Sequence, residues 1–222
     1  MEELAELDAQ KAKLSQKRGR LLLEEAEARL REQGVGQVAT LLRNGDVVET
    51  AHELEPEADL FVIGKRGEAA DFARLHLGSN LERVVRAIHK PILVAARSFK
   101  PVERFLVAFD GGTSAMKAVD HIARSWLFAG LDCRLLMAGA DTPAARKQLE
   151  DAAALLRAAG YAVQADIEPG GAAAAIARRV EADGIDLLVM GAYGHSRIRS
   201  MIIGSTTTEM IRSCLVPVML FR

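Results

Sequence analysis

The chain has little with which to fix a fold or a reaction covalently. Of its 222 residues only two are cysteines, Cys133 and Cys214. Neither belongs to a CxxC pair, so the reading is of two buried, reduced thiols rather than a disulfide framework or a zinc ribbon. No stretch of 18 apolar residues occurs, which gives no candidate for a membrane-spanning helix. Charge of one sign is missing too. Twenty-nine basic residues face thirty acidic ones, so there is no surplus cation for a dedicated nucleic-acid surface. The acidic, helix-forming N-terminus is unlike a secretory signal, and the expected setting is cytoplasmic. Neither a Walker A sequence nor a G-x-G-x-x-G occurs. The five histidines, at 52, 76, 89, 121 and 195, are scattered without metal-ligand spacing or an evident carboxylate dyad. His121 falls within an amphipathic helical pattern, where a packed ring is the plainer reading.

What the chain does have is a repeat. Gly64-Lys65-Arg66-Gly67, ten residues, then Gly78-Ser79-Asn80 recurs as Gly191-Ala192-Tyr193-Gly194, nine residues, then Gly204-Ser205-Thr206-Thr207. Each copy follows an apolar run (Leu60 to Ile63; Leu187 to Met190). Each precedes a helical stretch and a second run opened by proline (Pro91 to Val94; Pro217 to Leu220). Strand, glycine loop, helix, strand is a duplicated α/β unit. Further back, Gly34 aligns with Gly160, and residues 38–42 align with 163–167. A helix precedes each glycine loop, at about 46–56 and 171–183.

The second half carries more: a strand over 105–110, a helix over about 114–127, a strand over 133–137 and a helix over about 143–159. These have no counterpart in the first half. The expectation is that about 40–60 residues are absent before residue 1, or that a partner chain fills the gap. Residues 1–33 have no proline and one glycine, which predicts a long helix, unbroken or broken near Gly19. Leu7, Leu14 and Leu21 recur every seven residues, too few for a coiled coil; docking on the sheet is expected instead.

The strand ending in Asp110-Gly111-Gly112, the Gly191-x-x-Gly194 turn and the Gly204-Ser205-Thr206 helix opening together resemble the universal stress protein family. The resemblance covers 101–222 as a complete domain and 1–98 as an incomplete first copy. It implies a doubly wound open parallel α/β sheet, with five strands in the second half, and a tandem arrangement. It also implies ATP or a related nucleotide as ligand, with Mg²⁺ as companion of a triphosphate. The site residues it implies are Asp110, Gly111, Met190, Gly191, Tyr193, Gly194, Arg197, Gly204, Ser205, Thr206 and Thr207.

The chemistry of these residues suits that ligand. Glycines 191 and 194 let an anion approach the backbone. The amides opening the last helix, with the hydroxyls beside them, attract phosphate. His195, Arg197 and Arg199 decorate the intervening loop, and Asp110 is an acceptor for adenine or ribose. Plainer readings stand beside these. Gly-Ser-Thr is an ordinary helix start. Asp110 to Gly112 reads equally as a turn, with Thr113 or Ser114 capping the next helix. Loop arginines are commonly solvated, the Tyr193 ring either stacks on a base or obstructs it, and Pro169-Gly170-Gly171 is a turn before an alanine-rich helix.

In the first half Lys65 and Arg66 attract anions, but Glu68 and Asp71 oppose them and no aspartate-bearing strand completes a pocket. A structural role is expected there. The two halves would form a pseudo-dimer through the edge strands after Pro91 and Pro217, and the whole chain a homodimer. No catalytic constellation is evident: Ser205 has no base near it in sequence. The expected function is therefore a nucleotide-dependent stress-response binding or signalling module with at most weak ATP hydrolysis. The alternatives are a nucleotide-free interaction protein and a phosphoryl-transfer enzyme.

Overall fold

The computed structural model describes residues 2–65, 79–193 and 203–222. The chain divides into two compact units, residues 1–46 and 47–222.

The first unit is dominated by helix α1, Glu2–Glu32. It is unbroken at Gly19, where the absence of a side chain admits Leu42: a Cβ built there would lie 2.8 Å from Leu42 Cδ1. Pairs one turn apart, Glu25 with Arg29 and Glu27 with Arg31, close at 2.6 Å each. The helix ends in a Schellman motif at Gly34 (φ +87°), with Gly34 N–H donating to Arg31 O and Val35 N–H to Leu30 O. Leu7, Leu14 and Leu21 are exposed. The repeat had aligned residues 38–42 with a strand, but no strand forms there, and Leu41 and Leu42 are exposed. A strand exists only by pairing, and the aligned residues of the second half pair only with a neighbour that has no equivalent among the described residues of the first.

The second unit is one seven-stranded sheet. Its elements are α2 (Val47–Leu54), β1 (Phe61–Gly64), α3 (Ser79–Ala87), β2 (Ile92–Ala95), β3 (Arg104–Ala108), α4 (Thr113–Arg124), β4 (Asp132–Ala138), α5 (Pro143–Ala158), β5 (Val163–Glu168), α6 (Ala172–Ala182), β6 (Leu187–Gly191), α7 (Ser205–Ser213) and β7 (Val218–Phe221). The strand order is β1-β2-β7-β6-β3-β4-β5. The five second-half strands are mutually parallel, as expected. The sheet as a whole is mixed, because β2 pairs with β7 antiparallel, Leu93 opposite Met219. These are the two strands that follow Pro91 and Pro217.

Helices cover both faces. On one, α2, α3, α6 and α7 bury Val84, Val85, Ile176, Met210 and Ile211 against Val94, Leu106, Leu188 and Val218. On the other, α4 and α5 bury Ala118, Val119, Ile122, Ala153 and Leu156 against Phe105, Val107, Val189 and Met219. Strands buried on both sides cannot alternate in polarity, which is why β6 and β7 read as continuous apolar runs. Phe105 is wholly buried between Phe128, at 5.1 Å, and Tyr161, at 6.1 Å between ring centroids. A side chain so buried contributes about 1.5–3 kcal/mol. Cys133 lies in the same core, where burial pushes its thiol up to about 12. At the amino ends of the strands, Asp186 accepts hydrogen bonds from Lys100 Nζ (2.5 Å), Glu103 N (3.0 Å) and Arg104 N (3.1 Å), tying the start of β3 to that of β6.

Candidate functional site

The sheet reverses its winding between β3 and β6: from β3 the chain leaves to α4 on one face, and it enters β6 from α6 on the other. In open α/β sheets the crevice outside the carboxyl ends of such a pair is the usual ligand site.

Beyond β3 the chain turns at once. Asp110 Oδ1 accepts from Gly112 N–H at 2.8 Å, closing an Asx-type turn whose middle residue, Gly111, has φ +76°. A Cβ on Gly111 would be strained and would also meet Gln148 Oε1 at 2.8 Å. The turn reading of Asp110 therefore holds, but its companion does not. Gly112 is the N-cap of α4 and no side chain caps the helix; Ser114 is buried in the first turn instead, and Thr113 is not a cap.

The end of β6 explains the second glycine. A Cβ on Gly191 would stand 2.9 Å from Ser114 Cβ and 3.1 Å from Ala115 N. Gly191 is thus the seat on which the first turn of α4 rests. Met190 is buried, its side chain in the core beneath α6 and α7. The next carbonyls are held by the start of α7: Thr207 Oγ1 donates to Gly191 O at 3.1 Å and Gly204 N–H to Ala192 O at 3.1 Å. Thr207 is buried, Thr206 half-buried and Ser205 exposed. Gly204 caps α7 without a side-chain hydrogen bond, so among the described residues no side chain caps the first amides of that helix.

Tyr193 goes elsewhere. Its ring lies under the Arg222 guanidinium (5.6 Å to the ring centroid), its hydroxyl points to Val85 O at 3.5 Å, and burial pushes its hydroxyl up. Arg222 in turn donates to Ala87 O at 3.0 Å. Tyr193 is thereby taken into the seam with α3 and not into the crevice. Lys65 reaches across in the opposite sense, donating to Cys214 O. Gly194 and Arg197, with His195 and Arg199, lie outside the described residues, as do Arg66, Gly67, Glu68, Asp71, His76 and Gly78 of the first loop.

The structure therefore brings Asp110, Gly111, Gly191, Gly204, Ser205 and Thr206 to one end of β3 and β6. It sends Met190, Tyr193 and Thr207 into packing roles. Gln148, overhanging Gly111 from α5, was not marked by the sequence: a glutamine on a solvated helix face carries no local signal, and only the packing of α5 beside α4 reveals it. Among the described residues no group of three or more His, Cys, Asp or Glu side chains could hold a metal ion.

The universal stress protein family model matches residues 1–96 and 134–222. A universal stress protein of Synechocystis sp. is 38% identical over 224 residues, spanning 100% of this chain and 78% of that protein. The chain belongs to the universal stress protein family. Among solved structures, a universal stress protein from Archaeoglobus fulgidus superposes with a TM-score of 0.74 at 24% identity, covering 93% of this chain and 77% of that one. A second, from Pseudomonas aeruginosa, gives 0.63 at 16% identity, covering 91% and 77%. At these identities the likeness speaks for the universal stress protein fold alone.

Proposed function

We propose that the second half of the chain binds ATP or a related nucleotide and acts as a nucleotide-dependent binding or signalling module. One observation carries this: among the described residues no side chain caps the start of α7, which is anchored by Gly204 and Thr207 against the end of β6. Unsatisfied amides at the positive end of a helix favour an anion. Ser205 and Thr206 add hydroxyl donors, and the tight Asp110–Gly112 turn that follows β3 is suited to the nucleoside. Gly194 and Arg197 belong to this proposal by family likeness alone. Any Mg²⁺ would be held chiefly by the phosphates, with no protein cage. A cytoplasmic setting and a pseudo-dimer of the two halves belong to the same proposal; the antiparallel β2–β7 pairing supports the latter.

A nucleotide-free interaction protein is favoured by two other contacts. Asp110 Oδ1 already closes its own turn, and Thr207 already holds Gly191. Calorimetry separates the readings. The expected result is a saturable heat with Mg-ATP in the full chain, lost in Gly194→Val and weakened at least tenfold in Asp110→Ala, about 1.4 kcal/mol. No heat from the wild type, or equal affinity in wild type and Gly194→Val, overturns the nucleotide reading.

A further inference from the structure

One wall of the crevice has no part in holding phosphate. Along the sheet the order runs β7, β6, β3, β4, with neighbouring strands about 4.8 Å apart. The start of α7 is tied to the end of β6, and the Asp110–Gly112 turn follows β3. The next place belongs to the end of β4 and to α5. There Gln148 folds back onto the turn. A Cβ built on Gly111 would meet its Oε1 at 2.8 Å, its Cδ at 3.4 Å and its Nε2 at 3.7 Å, so the whole carboxamide lies against the bare Cα of Gly111. A glutamine extended into water would not require a glycine beneath it. Among the described residues no hydrogen bond engages this carboxamide, so packing positions it while its donors and acceptor stay open to a ligand. Ala108 and Ala138, the last residues of β3 and β4, and Ala172 and Ala173 at the start of α6 are half-buried at the rim of the core.

We propose that Gln148 selects the base of the ligand and that the base is adenine; this rests on the nucleotide reading and deepens it. With phosphate on the amides of α7, the far end of a nucleotide reaches the ends of β3 and β4. A flat ring there has the four alanine methyls on one side and Gln148 on the other. A carboxamide sets one acceptor beside two donors. Rotation about its terminal bond, a soft two-fold torsion, presents them in either order. Adenine offers the complementary pair, its 6-amino group as donor and N7 as acceptor, and glutamine meets that edge with two hydrogen bonds. Guanine and hypoxanthine offer two acceptors, O6 and N7, so the glutamine oxygen would face an oxygen. Such a pairing discriminates roughly 5- to 150-fold. The adjacent cations, whose charge would suit a guanine edge, are engaged elsewhere: Arg146 with Asp141, and Lys147 with Asp151 at 2.7 Å.

Inosine triphosphate isolates this contact, since it shares the ribose, the phosphates and N7 with ATP and carries an oxygen where adenine has the amino group. Calorimetry on the full chain is expected to show Mg-ATP bound at least about tenfold more tightly than Mg-ITP. Gln148 is exposed on α5, so Gln148→Leu should keep the wild-type fold by circular dichroism. In that variant ATP should weaken to within about twofold of ITP, with ITP itself unchanged. Equal affinity for the two ligands in the wild type overturns the assignment of Gln148 while leaving nucleotide binding in place. So does an unchanged ratio in Gln148→Leu, the mark of a merely structural side chain that affects both ligands alike. No heat with either ligand overturns the assignment and the nucleotide reading together.

Discussion

Replacing Gly191 by alanine tests whether this glycine serves the helix or the ligand. The new methyl would sit 2.9 Å from Ser114 Cβ, 3.1 Å from Ala115 N and 3.3 Å from Ser114 C. Two of these neighbours are backbone in the first turn of α4, so no side-chain rotation relieves them. Either α4 lifts by a few tenths of an ångström along its contact with β6 and β7, or β6 bends. Overpacking of this kind costs about 1–3 kcal/mol. Alanine recovers about 0.5–1 kcal/mol through the smaller loss of backbone freedom in a strand. Taking the middle of each range, the net loss is about 1 kcal/mol. In a chain of this size each kcal/mol moves the melting temperature by roughly 2–4 °C, so Gly191→Ala should melt about 2–4 °C lower. Differential scanning calorimetry without nucleotide reads this directly. A melting temperature equal to or above the wild type's would show that the close approach of α4 is not what requires glycine, and would return Gly191 to the ligand alone.

Asp186 should set part of the acid limit. Burial by itself raises its carboxyl, but the Lys100 ammonium and two backbone N–H groups outweigh that and hold it below its ordinary value. A carboxyl lowered in the folded state stabilises fully above its unfolded value of about 3.9 and loses that contribution as pH falls through the lower folded value. Urea titrations from pH 6 to 2 should show this decline, and Asp186→Asn should lose about 1–3 kcal/mol at pH 6 while flattening the acid slope; an unchanged slope would count against it. Thr207→Val keeps the shape but removes the donor to Gly191 O, at an expected cost of about 1–3 kcal/mol, whereas Thr207→Ser should retain most of the stability. Equal losses in both would place the role of Thr207 in its methyl group.

Local rules carried far where a residue's role depends on its chain neighbours. Thr142 caps α5, accepting from Ala145 N–H at 3.1 Å, and Pro143 stands in its first turn. Gly160 ends that helix as Gly34 ends α1, so the alignment of the two glycines reflected one shared backbone event, positive φ at a helix terminus. The apolar runs became strands at the expected places for the same reason. Residues 38–42 show where this stops. Their pattern matches that of β5, yet a strand is a relation between two segments and no periodicity supplies the second. The site divides along the same line. Asp110 and Gly111 form a turn that their own sequence dictates, while Tyr193, a neighbour of the glycine turn by number, is drawn to Val85 and Arg222 by contacts more than a hundred residues away in one case.

The order of residues alone determined the repeat, most element types, the glycine-ended termini of α1 and α5 and the Asp110–Gly112 turn, because each rests on torsional preference and on apolar spacing within a few neighbours. Only the folded molecule decided that β2 meets β7 antiparallel, that Gly191 is a seat for α4, and that Gln148 overhangs the crevice. Those outcomes depend on which surfaces meet across the sheet, and the free energy of such a meeting belongs to pairs of segments far apart in the chain.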